Sequence, residues 1–249
     1  MEDRSVLTRE APPPDRVLAY GEQPEQVIDL RVPHQRGSAP RPPVLLIHGG
    51  FWRPRIDRGH TGPMAAELAA QGWTALSAEY RRVPGEPDLA VRDLCRIIEQ
   101  LPELLDTPCE RVLVIGHSAG GHLALCLAAA GLSRLGGILA LAPVADLHLA
   151  EERALGEGAV RAFLGGSAES RPDLDPARMS APLVATTIIH GTDDAIVPLE
   201  IAESYANVHA QVRLVRQVGA GHFAVIDPLS RAWPAVVREL RRLASRDTL

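Results

Sequence analysis

An α/β fold, with a mostly parallel central sheet and helices on both faces, is what this sequence predicts. Three observations carry that expectation. From residue 44 onward, short apolar runs alternate with segments of helical period, the pattern of β–α units. The runs at 44–47 and 112–115 are apolar at every position, as suits strands buried on both faces. The 249 residues contain no internal repeat and no linker, so the chain reads as one domain, 1–249.

Taken in order, residues 1–15 are polar and punctuated by Pro12, Pro13 and Pro14, which predicts a flexible arm. Residues 16–20 and 26–32 alternate partly and flank a Gly-Glu-Gln-Pro turn, an antiparallel hairpin at the edge of the sheet. Residues 34–43 read as a Gly/Ser/Pro loop. The first parallel strand is 44–47, followed by a helix over 63–71 that Gly72 stops. A strand at 73–80 and a helix at 89–101 come next, the latter with Leu94, Ile97, Ile98 and Leu101 on one face.

The strand at 111–116 runs directly into Gly116-His117-Ser118-Ala119-Gly120, and an Ala/Leu-rich helix follows to 130. Then come a strand at 137–141 and a stretch, 147–182, without a long periodic run, read as a small cap over the sheet. A strand at 184–189, a helix at 199–208, a strand at 212–218 and an amphipathic helix at 229–243 complete the chain.

Composition excludes several classes. Hydrophobic content of 46%, charged content of 23% and a net charge of −5 with dispersed Arg give no footing for nucleic acid or an anionic membrane. No apolar run is long enough to span a bilayer, and no secretory leader is visible, so a cytoplasmic protein is expected. Of the three cysteines, Cys95 and Cys126 read as small buried hydrophobes. Histidines at metal-binding spacing are missing, so neither a metal nor a cofactor is expected. Two helices flank the last strand and leave room for a homodimer interface.

In such sheets ligands bind beyond the carboxyl ends of the strands. Four of those ends carry conspicuous turns: His48-Gly49-Gly50, the Ser118 turn, Gly191 to Asp194, and Gly219-Ala220-Gly221-His222. A serine in Gly-x-Ser-x-Gly between strand and helix is held on a strained turn, its hydroxyl projecting above the sheet. To act as a nucleophile it needs a base, itself oriented by a carboxylate. His222, just past the last strand, is placed to be that base; His117 and His122 adjoin Ser118 but leave the turn in other directions. For the carboxylate, Asp193 and Asp194 are adjacent and spacing does not separate them, with Asp146 a third choice. The amides of Ala119 and of Gly50 or Phe51 are candidate donors to an oxyanion. Phe51, Trp52, Tyr80 and His117 are candidate substrate-binding residues; only 4% of the chain is aromatic, so the Phe-Trp pair there is pointed.

These motifs resemble the α/β-hydrolase superfamily over nearly the whole chain. His48-Gly49-Gly50-Phe51-Trp52 is similar to the HGGxW motif of kynurenine formamidases, small bacterial esterases and prolyl-oligopeptidase-like hydrolases. The segment 190–198, His-Gly-Thr-Asp-Asp-Ala-Ile-Val-Pro, fits HGxxDxxVP, whose fifth residue is the acid, and the resemblance therefore implies Asp194. Gly221-His222-Phe223 matches the segment with the family's histidine. Phe51 stands where lipase-like relatives have a third glycine. The resemblance implies a serine hydrolase of small carboxylic esters or arylformamides, using Ser118, His222 and Asp194. Rival readings are a prolyl-oligopeptidase-like peptidase, an acyltransferase or cyclase on the same triad, and a non-catalytic ligand-binding module.

Overall fold

The computed structural model describes residues 2–33 and 41–245; the loop expected over 34–43 falls mostly outside them. Eight strands form one sheet in the order β1-β2-β4-β3-β5-β6-β7-β8. The edge is antiparallel: β1 (Arg16–Ala19) pairs with β2 (Val27–Arg31), and β2 with β4 (Ala75–Ala78). Every other pair is parallel, from β4 and β3 (Val44–Ile47) through β5 (Val112–His117), β6 (Leu135–Leu141) and β7 (Thr186–Gly191) to β8 (Arg213–Gln217). This is the α/β arrangement that the periodicity predicts.

The central strands are apolar because both faces are covered. Leu45, Ile47, Val112 and Val114 point into one core; Val44, Leu46, Leu113 and Ile115, offset by one residue, point into the other. Helices α2 (Pro87–Leu105), α3 (Ala119–Ala129) and α6 (Leu199–Val208) cover the first face. Helices α1 (Gly62–Ala70) and α7 (Trp233–Ala244) cover the second.

Strand order creates the place for a site. After β3 the chain adds β4 on one side, then crosses back to lay β5 on the other. That reversal leaves a crevice beyond the carboxyl ends of β3 and β5. Register pairs Ile47 with Gly116, so the His48-Gly49-Gly50 turn and the Ser118 turn leave the sheet side by side.

Residues 147–182, the segment expected as a cap, hold α4 (Leu147–Glu152), α5 (Leu155–Leu164) and three short 3₁₀ turns at Ala168–Ser170, Pro172–Leu174 and Pro176–Arg178. Periodicity is short there because Ala154, Gly156, Glu157 and Gly158 all take positive φ and break the helical path. The N-terminal stretch corrects an expectation. Instead of a flexible arm, residues 2–15 are docked: Ser5–Leu7 form a 3₁₀ turn, Val6 is 1% exposed, and Arg9 pairs with Asp227. The local polarity that suggested an arm hides one apolar anchor and a partner 218 residues away. Cys109 and Cys126 are buried and Cys95 is half-buried, all three as free thiols.

Candidate active site

Ser118 sits at the switch-point crevice, between the last residue of β5 and the first of α3. Its backbone has φ 55° and ψ −118°, a conformation a non-glycine residue holds only when its surroundings over-determine it. Those surroundings are specific. The Ser118 amide donates to Leu141 O, and the Ser118 carbonyl accepts from His122 N and Val144 N. A Cβ at Gly116 would collide with the carbonyl of Gly120, and one at Gly120 with that of Ile47. The two glycines therefore allow strand, turn and helix to close on one another.

Asp194 and His222 meet at the same rim. His222 Nδ1 lies 2.7 Å from Asp194 Oδ2. Asp194 Oδ1 accepts from the amides of Ile196 and Val197, and His190 Nε2 stands 3.3 Å from Oδ2. Burial alone would raise the carboxyl, but the hydrogen bonds from His190, His222 and Val197 outweigh it and hold Asp194 well below the usual carboxylate range. An ionised carboxylate only accepts, so His222 Nδ1 carries a proton, and in the neutral ring the lone pair falls on Nε2. That is the tautomer a general base needs.

Adjacent Asp193 is exposed and accepts from Thr192 Oγ1, so the structure separates the two aspartates that spacing could not. Asp146 caps α4 through Leu149 N and accepts from the Ser204 hydroxyl, away from His222. The loops carrying Asp194 and His222 are themselves zipped together. Asp193 N donates to Ala220 O, Gly219 N donates to Thr192 Oγ1, and a side chain at Gly191 would strike the Ala220 carbonyl.

The loop with the candidate oxyanion donors is built from residues in unusual conformations. Gly50, Phe51 and Trp52 have φ of 112°, 52° and 54°, three successive positive values that turn this loop back over the sheet end. Ala119, first residue of α3, has an amide without an intrahelical acceptor. Behind the loop lies a network that sequence reasoning missed. Glu79, buried just past β4, accepts from the amides of Arg58 and Tyr80, pairs with Arg82, and lies 3.2 Å from His48 Nε2. Burial pushes Glu79 up, yet its bonds to His48, the Arg82 charge and the Arg58 amide bring it down to about 2. The one available signal was a carboxylate abutting an apolar strand, at a position where the rim rather than solvent begins.

Because Glu79 is depressed from 4.5, its ionic contribution to stability is complete above about pH 4.5 and is lost as pH falls towards 2. Glu79→Gln is therefore expected to lower the unfolding midpoint at pH 7 and to flatten its decline over that window. Thermal melts at stepped pH check this; a parallel decline in both proteins contradicts it.

Two candidate substrate-binding residues turn out to be supports. Tyr80 is fully buried, stacked on His48 at 4.5 Å, with its hydroxyl donating to His48 O. His117 is buried with its ring 4.7 Å from that of His222, and its Nε2 donates to His222 O at 3.1 Å. Burial foremost, then the neighbouring His222, holds His117 well below the usual histidine range, so it is a neutral brace.

Trp52 is 3% exposed, stacked on Phe163 of α5 at 4.5 Å and edge-on to His122. It bolts the loop to the cap. Trp52→Ala is accordingly expected to cost about 3–5 kcal/mol of stability, measured by chemical denaturation, with little change in aryl-over-alkyl preference. Phe51 is the half-buried member of the pair, packed against Gly156 of the cap. His122, by contrast, spends its Nε2 on Leu174 O. Among the described residues no cluster of three or more His, Cys, Asp or Glu could hold a metal ion, and no helix is long and apolar enough to cross a membrane.

Known proteins share both the sequence pattern and this architecture. Residues 28–208 match the family model BD-FAE, a span that includes Ser118 and Asp194 and ends short of His222. The chain is 26% identical to esterase LipC of Mycobacterium tuberculosis, over 85% of this chain and 60% of that protein. It is 27% identical to a probable isoprenylcysteine alpha-carbonyl methylesterase of Oryza sativa subsp. japonica, over 86% and 59%. The chain thus spans about three-fifths of the length of these curated relatives. Among solved structures, esterase B from Lactobacillus rhamnosis superposes with a TM-score of 0.74 at 21% identity, covering 94% of this chain and 88% of that one. At that identity the superposition shows a shared fold, the α/β-hydrolase fold.

Proposed function

Since the chain belongs to the BD-FAE family, we propose that it is a serine hydrolase of small carboxylic esters that works through an acyl-enzyme. The observation that carries this is the 2.7 Å His222–Asp194 hydrogen bond, held at the same rim as a serine in a strained turn. In the proposed reaction Ser118 Oγ attacks the ester carbonyl carbon while His222 Nε2 takes the hydroxyl proton. Asp194 holds the imidazole in that tautomer and offsets the charge it gains. The amides of Ala119 and of Gly50 or Phe51 receive the developing oxyanion; each such donor is typically worth about 3 kcal/mol. His222 then passes its proton to the departing alcohol, and water, activated in turn by His222, releases the acid.

Esters are preferred over arylformamides because the two curated relatives named above are named as an esterase and a probable methylesterase. The Trp52 face that would have welcomed a flat aryl group is covered by Phe163. The small cap suits a small molecule better than a folded peptide. A cytoplasmic location and a homodimer stay with this proposal as expectations from the sequence.

The test is direct. The intact protein should take up one equivalent of an organophosphonate and turn over short p-nitrophenyl esters faster than N-formylkynurenine. Absence of both labelling and turnover sinks the hydrolase reading; faster turnover of the formamide sinks the ester preference alone.

A further inference from the structure

The loops carrying Asp194 and His222 meet a third piece of chain that the reaction above does not use. Residues 2–9 are anchored at two points: Val6 joins the core that contains Val225 and Ile226, and Arg9 engages both oxygens of Asp227. Between the anchors and the rim, the Arg4 guanidinium lies 5.7 Å over the Phe223 ring. At the end of this segment is Glu2. Its Oε1 accepts from Ala195 N at 3.0 Å, and its Oε2 accepts from His222 N at 2.9 Å. Ala195 follows the proposed acid and His222 is the proposed base, so one carboxylate joins both catalytic loops. Gly221 completes the arrangement, because a Cβ there would occupy the place of the Glu2 carboxylate.

We propose that Glu2 is a positioning residue: its carboxylate staples the base loop to the acid loop and fixes the His222 imidazole against Asp194. The inference rests on the Ser118–His222–Asp194 reading. Hydrogen bonds to an ionised acceptor are roughly twice as strong as neutral ones, and here two of them bridge loops that end different strands. His222 is then held at three points, by Glu2 at its amide, His117 at its carbonyl and Asp194 at Nδ1. Removing the first lets the loop drift, and a misplacement of about 1 Å in a catalytic group can cost on the order of a hundredfold in rate. Val6 and Arg9 keep the segment docked when Glu2 is changed, so the effect falls on catalysis more than on stability.

The experiment compares Glu2→Ala, Glu2→Gln and Arg9→Ala with the unaltered full chain. Steady-state kinetics on p-nitrophenyl acetate are read beside thermal unfolding and the downfield proton NMR resonance of the His222–Asp194 hydrogen bond. Glu2→Ala is expected to lower kcat about tenfold, leave KM within about twofold, and broaden the resonance through exchange with water. Glu2→Gln, with one acceptor oxygen left, should fall between. Arg9→Ala should lower the unfolding midpoint more than Glu2→Ala while keeping more of kcat. A Glu2→Ala protein with unchanged kcat and an unchanged resonance overturns the proposal. So does a kcat loss that merely tracks the unfolding midpoint across the variants. His222→Ala, measured in parallel, isolates the underlying reading: retained turnover there overturns the triad itself.

Discussion

Ser118→Ala is expected to abolish covalent labelling by an organophosphonate and to lower ester turnover by about a millionfold in kcat, the scale on which removing a triad nucleophile acts. The loss is this large because, on the proposed mechanism, no acyl-enzyme forms without the hydroxyl and His222 has no serine proton to accept, which leaves only substrate binding and the proposed oxyanion donors. Folding should survive. The turn is held by Leu141 O, His122 N and Val144 N through the Ser118 backbone, and alanine keeps those bonds. Turnover above the uncatalysed rate by a few thousandfold is compatible with binding and the donors alone. Turnover near that of the unaltered protein is not, and would move the nucleophile elsewhere.

The second large effect is expected from Asp194→Asn, about a ten-thousandfold loss in kcat. The reason lies in the count of donors. Ile196 N and Val197 N need an acceptor at one side-chain atom, while His222 Nδ1 and His190 Nε2 face the other. An amide offers one oxygen. If it serves the two backbone amides, its NH₂ faces His222 Nδ1 and forces that nitrogen to accept. The proton then moves to Nε2, and the base has lost its lone pair at the atom that must face Ser118. Asp193→Asn is the matched control: that side chain is exposed and accepts only from Thr192 Oγ1 among the described residues, so kcat should stay within about twofold of normal. Kinetics of the two variants on one p-nitrophenyl ester decide between neighbours, and the reverse ranking would exchange their roles.

The candidate site was legible in the sequence where its parts are local. Gly116, Ser118 and Gly120 announce a strand-turn-helix because close approach of backbone at fixed spacing demands glycine there. His222 was legible by its place after the last strand. Asp194 was different: spacing left it level with Asp193, the family resemblance pointed to Asp194, and the burial and donor set around each carboxylate give the physical distinction. Tyr80, His117 and Trp52 read as binding residues in the sequence because aromatic and imidazole side chains near a rim suggest contact with a ligand. Their hydrogen bonds and stacking partners, on other strands and in the cap, make them supports.

For the fold, continuous apolar runs determined the strands, and helical periods determined α2, α6 and α7, since burial on one or two faces writes itself into residue order. The antiparallel edge came from the same source. Strand order, and with it the switch point between β3 and β5, was decided by tertiary packing. So were the docked N-terminal segment, the Glu79 network and the bolt from Trp52 to Phe163. Each depends on residues far apart in the chain, Glu2 and His222 most of all at 220 positions. Local periodicity records which face of an element is buried. It carries no trace of the single carboxylate or ring that a distant segment brings to that face.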